Sequence, residues 1–234
     1  MKISILTSDL SNNCLGRAYL LAKVLQRHYE VEIVGPIFGD GIWKPVADDK
    51  SITYKFVKIC GRLKPYWQII ELIKMMNGDV IYALKPLFAS FGIGIFEKVF
   101  KKKSLILDID DWRMGFMKET YRNRPLLSRF KSLVASTLFL YSMGSYWNNL
   151  FGEKLTHFAD EITVSNNFLQ DKFGGTIVWH GRDTDAFNPE RFNKNLIREK
   201  YKIEDSKKVV IFFGSPRSVH IKSIFPSKAI LVRT

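Results

Sequence analysis

Residues 160–189, DEITVSNNFLQDKFGGTIVWHGRDTDAFNP, decide the fold of this chain. The stretch begins with an apolar strand, Asp160–Ser165, and continues with a short helical segment, Asn166–Phe173, which two glycines end. A second apolar strand, Thr176–Trp179, follows directly. A helix between two strands, in this order and with such short connections, predicts one unit of a parallel α/β sheet.

The same alternation of strands and helices extends back to the N-terminus. The pattern predicts strands at Lys2–Thr7, Val31–Val34, Ile52–Val57, Asp79–Leu84 and Ser104–Ile109. It predicts helices at 15–25, Pro65–Met76 and Pro86–Phe100. We therefore expect an α/β fold whose sheet is doubly wound and mainly parallel, from Met1 to about Pro189.

The pattern changes towards the C-terminus. A charged connector, Glu204–Lys208, leads into a new strand, Val209–Phe213, which ends in Gly214-Ser215-Pro216-Arg217. Neither a helical nor a strand period follows Arg217. We expect a first domain over residues 1–200, and a linker with the incomplete start of a second domain over 201–234.

Two motifs near this junction resemble the domain junction of family 4 glycosyltransferases. The turn His180-Gly181-Arg182-Asp183 is similar to the Asn-Gly-x-Asp turn of that family, and residues 212–217 match its Phe-x-Gly-x-x-Arg motif. The resemblance implies a retaining enzyme of the two-domain GT-B fold. This chain would be the Rossmann-like acceptor-side domain, and the donor-side domain would be missing.

The resemblance also implies a function. It implies transfer of a sugar from a nucleotide sugar to a glycan or lipid-linked acceptor, as in the synthesis of cell-envelope polysaccharide. No cofactor is expected beyond the nucleotide-sugar co-substrate. The chain would be truncated and inactive alone, so two alternatives stay open. It is either one subunit of a split glycosyltransferase completed by a separate donor-domain chain, or a non-catalytic module that binds an acceptor or a membrane surface.

The chain of 234 residues has a formal net charge of +13. Such a charge favours phosphate-bearing partners, of which an anionic membrane surface and a diphosphate substrate are kept here. No nucleic-acid-binding motif accompanies the charge, so nucleic acid is not expected. Cys14 and Cys60 form no disulfide or zinc pattern, and the N-terminus shows no signal peptide. These features predict a cytoplasmic protein, with the inner face of the cytoplasmic membrane as an alternative position.

One uncharged segment, Ser132–Gly152, has about the length that crosses a bilayer. Its serines, threonine and asparagines make it too polar for a typical span. We expect a long helix here that is largely buried or faces a membrane.

The loop after the first strand is the first candidate site. In open α/β sheets, ligands bind beyond the carboxyl ends of the strands, and helix N-termini present free N–H groups. Gly16 would let a ligand approach the backbone, Arg17 would add a positive charge, and Asn13 belongs to the same loop. The resemblance places this loop beside the donor diphosphate. The loop is not a GxGxxG fingerprint, and a plain strand-to-helix turn is the alternative.

Asp108-Ile109-Asp110-Asp111-Trp112 forms the second candidate site, at the end of a strongly hydrophobic strand. Its DxD pattern would suit Mg²⁺ or Mn²⁺. The GT-B resemblance implies no such metal, so we predict none. Instead, Asp110 and Asp111 are predicted catalytic residues that bind an acceptor hydroxyl or transfer its proton. Helix capping and a salt bridge to Arg113 are the alternative roles.

The segment Trp112–Lys131 is the third candidate site, because basic and aromatic residues alternate along it. Trp112 and Arg113, at its start, are predicted to bind substrate. Basic charge beside apolar bulk is typical of a membrane-facing surface, and a solvated basic face is the alternative. The turn residues His180 and Asp183 are predicted to be structural, with Asp183 bonded to nearby backbone N–H groups.

Overall fold

The computed structural model describes residues 1–59, 65–138, 145–185, 187–211 and 229–232. Contacts divide the chain into two compact units, Met1–Gly181 and Arg182–Thr234. The first unit contains the large sheet and the candidate sites.

The first unit is built on a seven-stranded sheet in which every pair of neighbouring strands is parallel. The strands are β1 (Lys2–Leu6), β2 (Glu30–Ile37), β3 (Thr53–Lys58), β4 (Val80–Leu84), β5 (Ser104–Ile109), β6 (Glu161–Val164) and β7 (Thr176–Ile177). Their order across the sheet is β3-β2-β1-β4-β5-β6-β7. The first six strands have the order of the Rossmann fold. The predicted fold class, α/β and Rossmann-like, is confirmed.

The helices of this unit connect the strands. They are α1 (Leu15–Leu25), α2 (Lys44–Ala47), α3 (Pro65–Met75), α4 (Ile93–Lys101), α5 (Arg113–Arg122), α6 (Leu126–Leu138), α7 (Tyr146–Lys154) and α8 (Asn167–Phe173). A π-helical turn, Phe88–Gly92, precedes α4. Asn166 caps α8, because its side chain accepts a hydrogen bond from the N–H of Leu169.

Both faces of the sheet are buried, and each has its own hydrophobic cluster. Ile81 and Ala83 of β4 belong to one cluster, which also contains residues of α3, α4 and α8. Tyr82 and Leu84 belong to the other cluster, which contains the apolar face of α1. Successive side chains of a strand point to opposite faces, so a strand buried on both sides is apolar throughout. The continuous apolar runs in the sequence have this origin.

The second strand is longer than the sequence predicts. The strand was predicted at Val31–Val34, but β2 continues through Gly35 and Pro36 to Ile37. Gly35 pairs with Phe56 of β3, and a Cβ on Gly35 would lie 2.6 Å from the carbonyl oxygen of Thr7. The glycine therefore allows close packing against the end of β1, and the predicted end of the strand at Val34 is wrong.

The uncharged segment Ser132–Gly152 is not one continuous helix. Ser145 has an extended backbone and begins α7 as its N-cap, accepting a hydrogen bond from the N–H of Asn148. Residues 139–144 of the segment lie outside the described residues. Within the described part of the chain, no helix is both long enough and apolar enough to cross a membrane.

The second unit contains a short helix and a small sheet. Helix α9 covers Lys194–Lys200, and strands β8 (Lys208–Ile211) and β9 (Ala229–Val232) pair antiparallel. The motif Gly214–Arg217 lies outside the described residues. The division of the chain at residue 200 stays a prediction.

The contact at Gly35 predicts a stability difference between two glycines. Gly35→Ala should lower the free energy of unfolding by about 1–3 kcal/mol, because the new methyl group would overlap Thr7. Gly41→Ala is the control, since no atom of the described residues lies within 4 Å of its Cβ position. Urea unfolding would measure both. Equal stability of the two variants would contradict the close packing of β2 against Thr7.

Candidate ligand-binding site

A buried ion pair underlies the carboxyl edge of the sheet. Arg17 of α1 donates to both oxygens of Asp108 on β5, with Nε–Oδ2 and Nη2–Oδ1 distances of 2.7 Å. Arg17 also donates to the carbonyl oxygen of Val178 at 2.9 Å, and Thr163 of β6 donates to Asp108 at 2.8 Å. Both charged side chains are almost completely buried. The side chain of Arg17, which was predicted to bind substrate, is thus bonded to a carboxylate inside the protein.

The pKa of Arg17 is consistent with a charged partner for Asp108. Burial alone would lower the pKa of Arg17, but its hydrogen bonds to Asp108 and the charge of that carboxylate outweigh burial and raise the pKa above its ordinary value. The guanidinium therefore stays charged inside the protein. A third nitrogen, Nη1, lies 3.5 Å from Nδ1 of His180. This contact gives the turn residue His180 a structural partner.

Lys85, at the end of β4, is the residue that sequence reasoning missed. Its φ angle is +64°, in the left-handed region that non-glycine residues seldom occupy. The side chain is buried, and Nζ donates to Asp110 at 2.5 Å and to Asp111 at 3.0 Å. Strained backbone at the carboxyl edge of a sheet is typical of functional sites. A lysine directly after a strongly apolar strand was the signal available in the sequence.

The surroundings of Lys85 favour its positively charged form. Burial would lower its pKa, but the charges of Asp110 and Asp111 and their hydrogen bonds raise the pKa above its ordinary value. One cation thus lies between two carboxylates. The main chain around it is also fixed, because the N–H of Lys85 donates to the carbonyl of Asp108 and Ser90 donates to the carbonyl of Lys85.

Asp110 and Asp111 follow β5 as predicted, and the structure brings them together. Ser165, after β6, donates to the carbonyl oxygen of Asp110 at 2.9 Å. The second oxygen of Asp111, Oδ1, is buried and has no hydrogen-bond partner among the described residues. Neither aspartate is the N-cap of α5, because Trp112 occupies that position without a side-chain cap. A buried acceptor without a donor indicates a position that a further group completes.

The loop after β1 has its own hydrogen bonds. The carboxylate of Asp9 accepts from the N–H and the hydroxyl of Ser11, at 2.8 and 2.6 Å. Asn13 is bonded through its carbonyl oxygen to the N–H of Gly16. The ring of Trp43 lies 3.5 Å from the Cβ position of Gly16, at van der Waals distance. A carboxylate in this loop would repel a phosphate, so the expected role of the loop as a diphosphate site finds no support in its chemistry.

Cys14 belongs to this loop and lies close enough to Lys85 to be affected by its charge. Burial raises the pKa of the Cys14 thiol, while the charge of Lys85, a hydrogen bond to Ser8 and the charge of Arg113 oppose the rise. Arg113, at the start of α5, donates to Asn149 at 2.9 Å. The ends of β1 and β4 and the start of α5 therefore converge at one place.

An open groove of about 460 Å³ adjoins the two aspartates. Its walls come from the end of β5, from α5 and from α8, and include Asp110, Asp111, Trp112, Phe116, Asn166 and Phe168. The rings of Phe116 and Phe168 are more than half exposed. Trp112 donates to Glu153 at 3.0 Å, and Lys172 lies 4.3 Å from its ring centre. The groove thus joins acceptor oxygens with exposed aromatic surface.

Two further predictions concern metals and the turn after β7. Among the residues that the structure describes, no group of three or more His, Cys, Asp or Glu side chains is placed to hold a metal ion. The expected absence of a metal stays a prediction. The structural role of Asp183 is confirmed, because its carboxylate accepts from the N–H of Asp185 at 3.0 Å.

Comparisons with known proteins give little guidance. No protein-family model matches the chain, and no curated protein matches it. Among solved structures, a short-chain dehydrogenase/reductase (wide type) from Veillonella parvula, in complex with NADP, is similar with a TM-score of 0.37. The identity is 11%, over 70% of this chain and 68% of that one. A likeness of this degree assigns no activity to this chain.

The comparisons nevertheless correct the resemblance to family 4 glycosyltransferases. Neither a family model nor a curated glycosyltransferase matches the chain, and the solved structure named above is a dehydrogenase/reductase. We therefore withdraw the predicted sugar transfer, the truncated or split enzyme and the acceptor-binding module. The predicted nucleotide sugar, the glycan or lipid-linked acceptor and the separate donor-domain chain are withdrawn as well, because they were inferred from that resemblance alone.

The buried ion pair predicts a large loss of stability when one partner is removed. Arg17→Leu should lower the free energy of unfolding by about 3–5 kcal/mol, because Asp108 would keep a buried charge without a counter-ion. Lys23→Leu is the control, because its pair with Asp49 is partly exposed and should contribute about 1 kcal/mol or less. Denaturant unfolding of both variants measures the difference. The double variant Arg17→Leu/Asp108→Leu should recover part of the loss, and equal losses at Arg17 and Lys23 would contradict the role of the pair.

Proposed function

We propose that the chain binds a small molecule containing a nucleoside in the groove beside Asp110 and Asp111. The observation that carries the proposal is the Asp111 carboxylate, which lines the groove and keeps one buried oxygen without a partner among the described residues. A buried acceptor calls for a donor, and the hydroxyl groups of a ribose are such donors. Lys85 donates to both carboxylates, offsets part of their negative charge and holds them in place.

The position of the groove supports this ligand class. In open α/β sheets, ligands bind outside the carboxyl ends of the strands, close to where the strand order reverses. Here the order reverses between β1 and β4, and the groove lies beyond the carboxyl ends of β5 and β6, on the β4 side of that reversal. A carboxylate that binds ribose hydroxyls is also a feature of Rossmann folds. The fold alone does not identify a ligand, so the ligand class is inferred from the residues that line the groove.

The aromatic walls of the groove favour a flat ring in the ligand. Phe116 and Phe168 expose their rings, and the Phe168 ring lies 5.9 Å from that of Trp112. Nucleobases stack on such side chains, and each stacked base contributes about 1–3 kcal/mol. A volume of about 460 Å³ is in the range of small-molecule sites.

A dinucleotide bound in the usual Rossmann manner is not proposed. The loop after β1 lacks the GxGxxG fingerprint and contains the buried carboxylate of Asp9. These residues do not fit a diphosphate at the start of α1. The residues present fit the nucleoside part of a ligand, in the groove between α5 and α8.

Individual roles remain proposals of the same kind. Proton transfer by Asp110 or Asp111 from a ligand hydroxyl is the chemistry that their position allows. Ligand contact by Trp112 is proposed because its ring lines the groove. Contact by Asn13, Gly16, Arg17 and Arg113 stays a prediction.

Calorimetric titration with adenosine, guanosine, uridine, cytidine and their monophosphates tests the proposal. At least one nucleoside should bind, and Asp111→Asn should weaken binding by about 5–150-fold, since a charged acceptor contributes roughly 1–3 kcal/mol. Asp48→Asn, which changes an exposed carboxylate elsewhere, should bind like the original chain. Binding that is the same in both variants would exclude the proposed site.

Alkylation of Cys14 gives an independent measurement in a Cys60→Ser background. Its raised thiol pKa predicts slow reaction with iodoacetamide at neutral pH, and a bound nucleoside should slow the reaction further. No binding by any of the eight compounds, together with unchanged alkylation rates, would overturn the proposal.

Where the chain lies in the cell is a separate question. We keep the cytoplasm, and a peripheral position on the inner face of its membrane, as predictions. Helix α6 exposes Leu126, Leu127 and Phe130 to solvent, and exposed basic residues precede them. This combination favours the peripheral position.

Cell fractionation tests this location. A fraction of the chain should sediment with membranes, and Leu126→Ser/Phe130→Ser should move that fraction to the supernatant. Phe192→Ser, which changes an exposed aromatic residue of the second unit, should leave the distribution unchanged. Recovery of the original chain entirely in the supernatant would contradict the peripheral position.

A further inference from the structure

An apolar cavity of about 220 Å³ lies between the π-helical turn and α7, away from the groove. Its lining includes Leu87, Phe88, Phe91, Ile95, Phe151 and Leu155. Leu87 and Phe91 are buried, while Phe151 and Leu155 are partly exposed and lie at the open side. Among the residues that the structure describes, none lines both this cavity and the groove beside Asp110 and Asp111.

The backbone around this cavity has two unusual features. The turn Phe88–Gly92 is π-helical, a geometry that is rare and is frequently found at functional sites. It begins three residues after Lys85, whose φ angle is positive. The segment from Lys85 to Gly92 thus departs from regular structure, although a continuous helix over Pro86–Phe100 was predicted from its sequence.

Helix α7 packs closely against the backbone at Pro86, beside the cavity. A Cβ on Gly152 would overlap the carbonyl oxygen of Pro86, so α7 lies directly against that backbone. Gly152 and Gly92 contribute no side chain to the cavity that they line. Contact at Gly152 fixes α7, and the side chains around the contact leave an apolar space.

We infer that this cavity binds a small hydrocarbon group of a ligand, such as an aromatic ring or a short alkyl chain. Apart from Asn148, the side chains that line it are apolar, so the cavity favours a hydrocarbon group over a charged or strongly hydrated one. An engineered apolar cavity of about 150 Å³ in another protein stays dry and binds benzene. The cavity between the π-helical turn and α7 is larger and therefore accommodates a ring of that size.

Benzene and n-hexanol are the probes for this site. With methyl-labelled protein, titration of either probe should shift the NMR signals of Leu87, Ile95 and Leu155, and the melting temperature should rise. Leu155→Trp should weaken binding by about 10-fold or more, because the larger side chain would occupy the cavity from its open side. Leu155 is partly exposed, so the substitution is compatible with folding.

Two further variants make the outcome decisive. Ile95→Phe fills the cavity from α4 and should weaken binding as well, which covers the case that Leu155→Trp fails to fold. Leu196→Phe, on an exposed position of α9, should bind both probes like the original chain. The inference is overturned if neither probe shifts the three methyl signals, if the filled variants bind equally well, or if the shifts spread over other apolar surfaces.

Discussion

The ion pair between Arg17 and Asp108 is the interaction on which the carboxyl edge of the sheet depends. It joins α1 to β5, and through the carbonyl of Val178 it also ties the chain just beyond β7. Each charge is buried so deeply that it needs the other, because an unpaired charge in the interior costs several kcal/mol. The hydroxyl of Thr163 completes the coordination of Asp108, and the hydroxyl of Tyr82 contacts Thr163 in turn. Arg17 and Thr163 thus bond the carboxylate directly, while Val178 and Tyr82 each bond one of these two residues.

Lys85 forms a second polar layer beside this pair. Its backbone continues the ladder to Asp108, while its side chain reaches Asp110 and Asp111. The two cations, Arg17 and Lys85, face three carboxylates, so this edge is close to electrically balanced. The excess positive charge of the chain, +13 in total, therefore lies on other surfaces, away from this edge of the sheet. A ligand here is recognised by hydrogen bonds and aromatic surface more than by long-range attraction.

The resemblance to glycosyltransferases failed for a physical reason. A strand, a short capped helix, two glycines and another strand meet the needs of any parallel α/β sheet, because each element must bury one face and reverse direction within a few residues. The pattern at 160–179 therefore identifies the architecture correctly and leaves the activity open. Function depends on particular side chains grouped at a site, and the same fold serves many activities. The short motifs of the junction did not carry that information.

Local properties of the sequence determined the strands, the helix cap at Asn166 and the parallel architecture. Ser104–Ile109 is a strand at the predicted bounds, because its aliphatic residues, interrupted only by Asp108 near the end, pack on both faces of the sheet. The tertiary structure decided that β2 passes through Gly35, that the helix after β4 begins with a π turn, and that Arg17 points inward. It also decided that Lys85 meets Asp110 and Asp111. Arg17 and Asp108 are 91 residues apart, and only the order of strands across the sheet brings such residues together. Hydrophobic periodicity is a local signal, whereas the pairing of charges depends on contacts between distant segments.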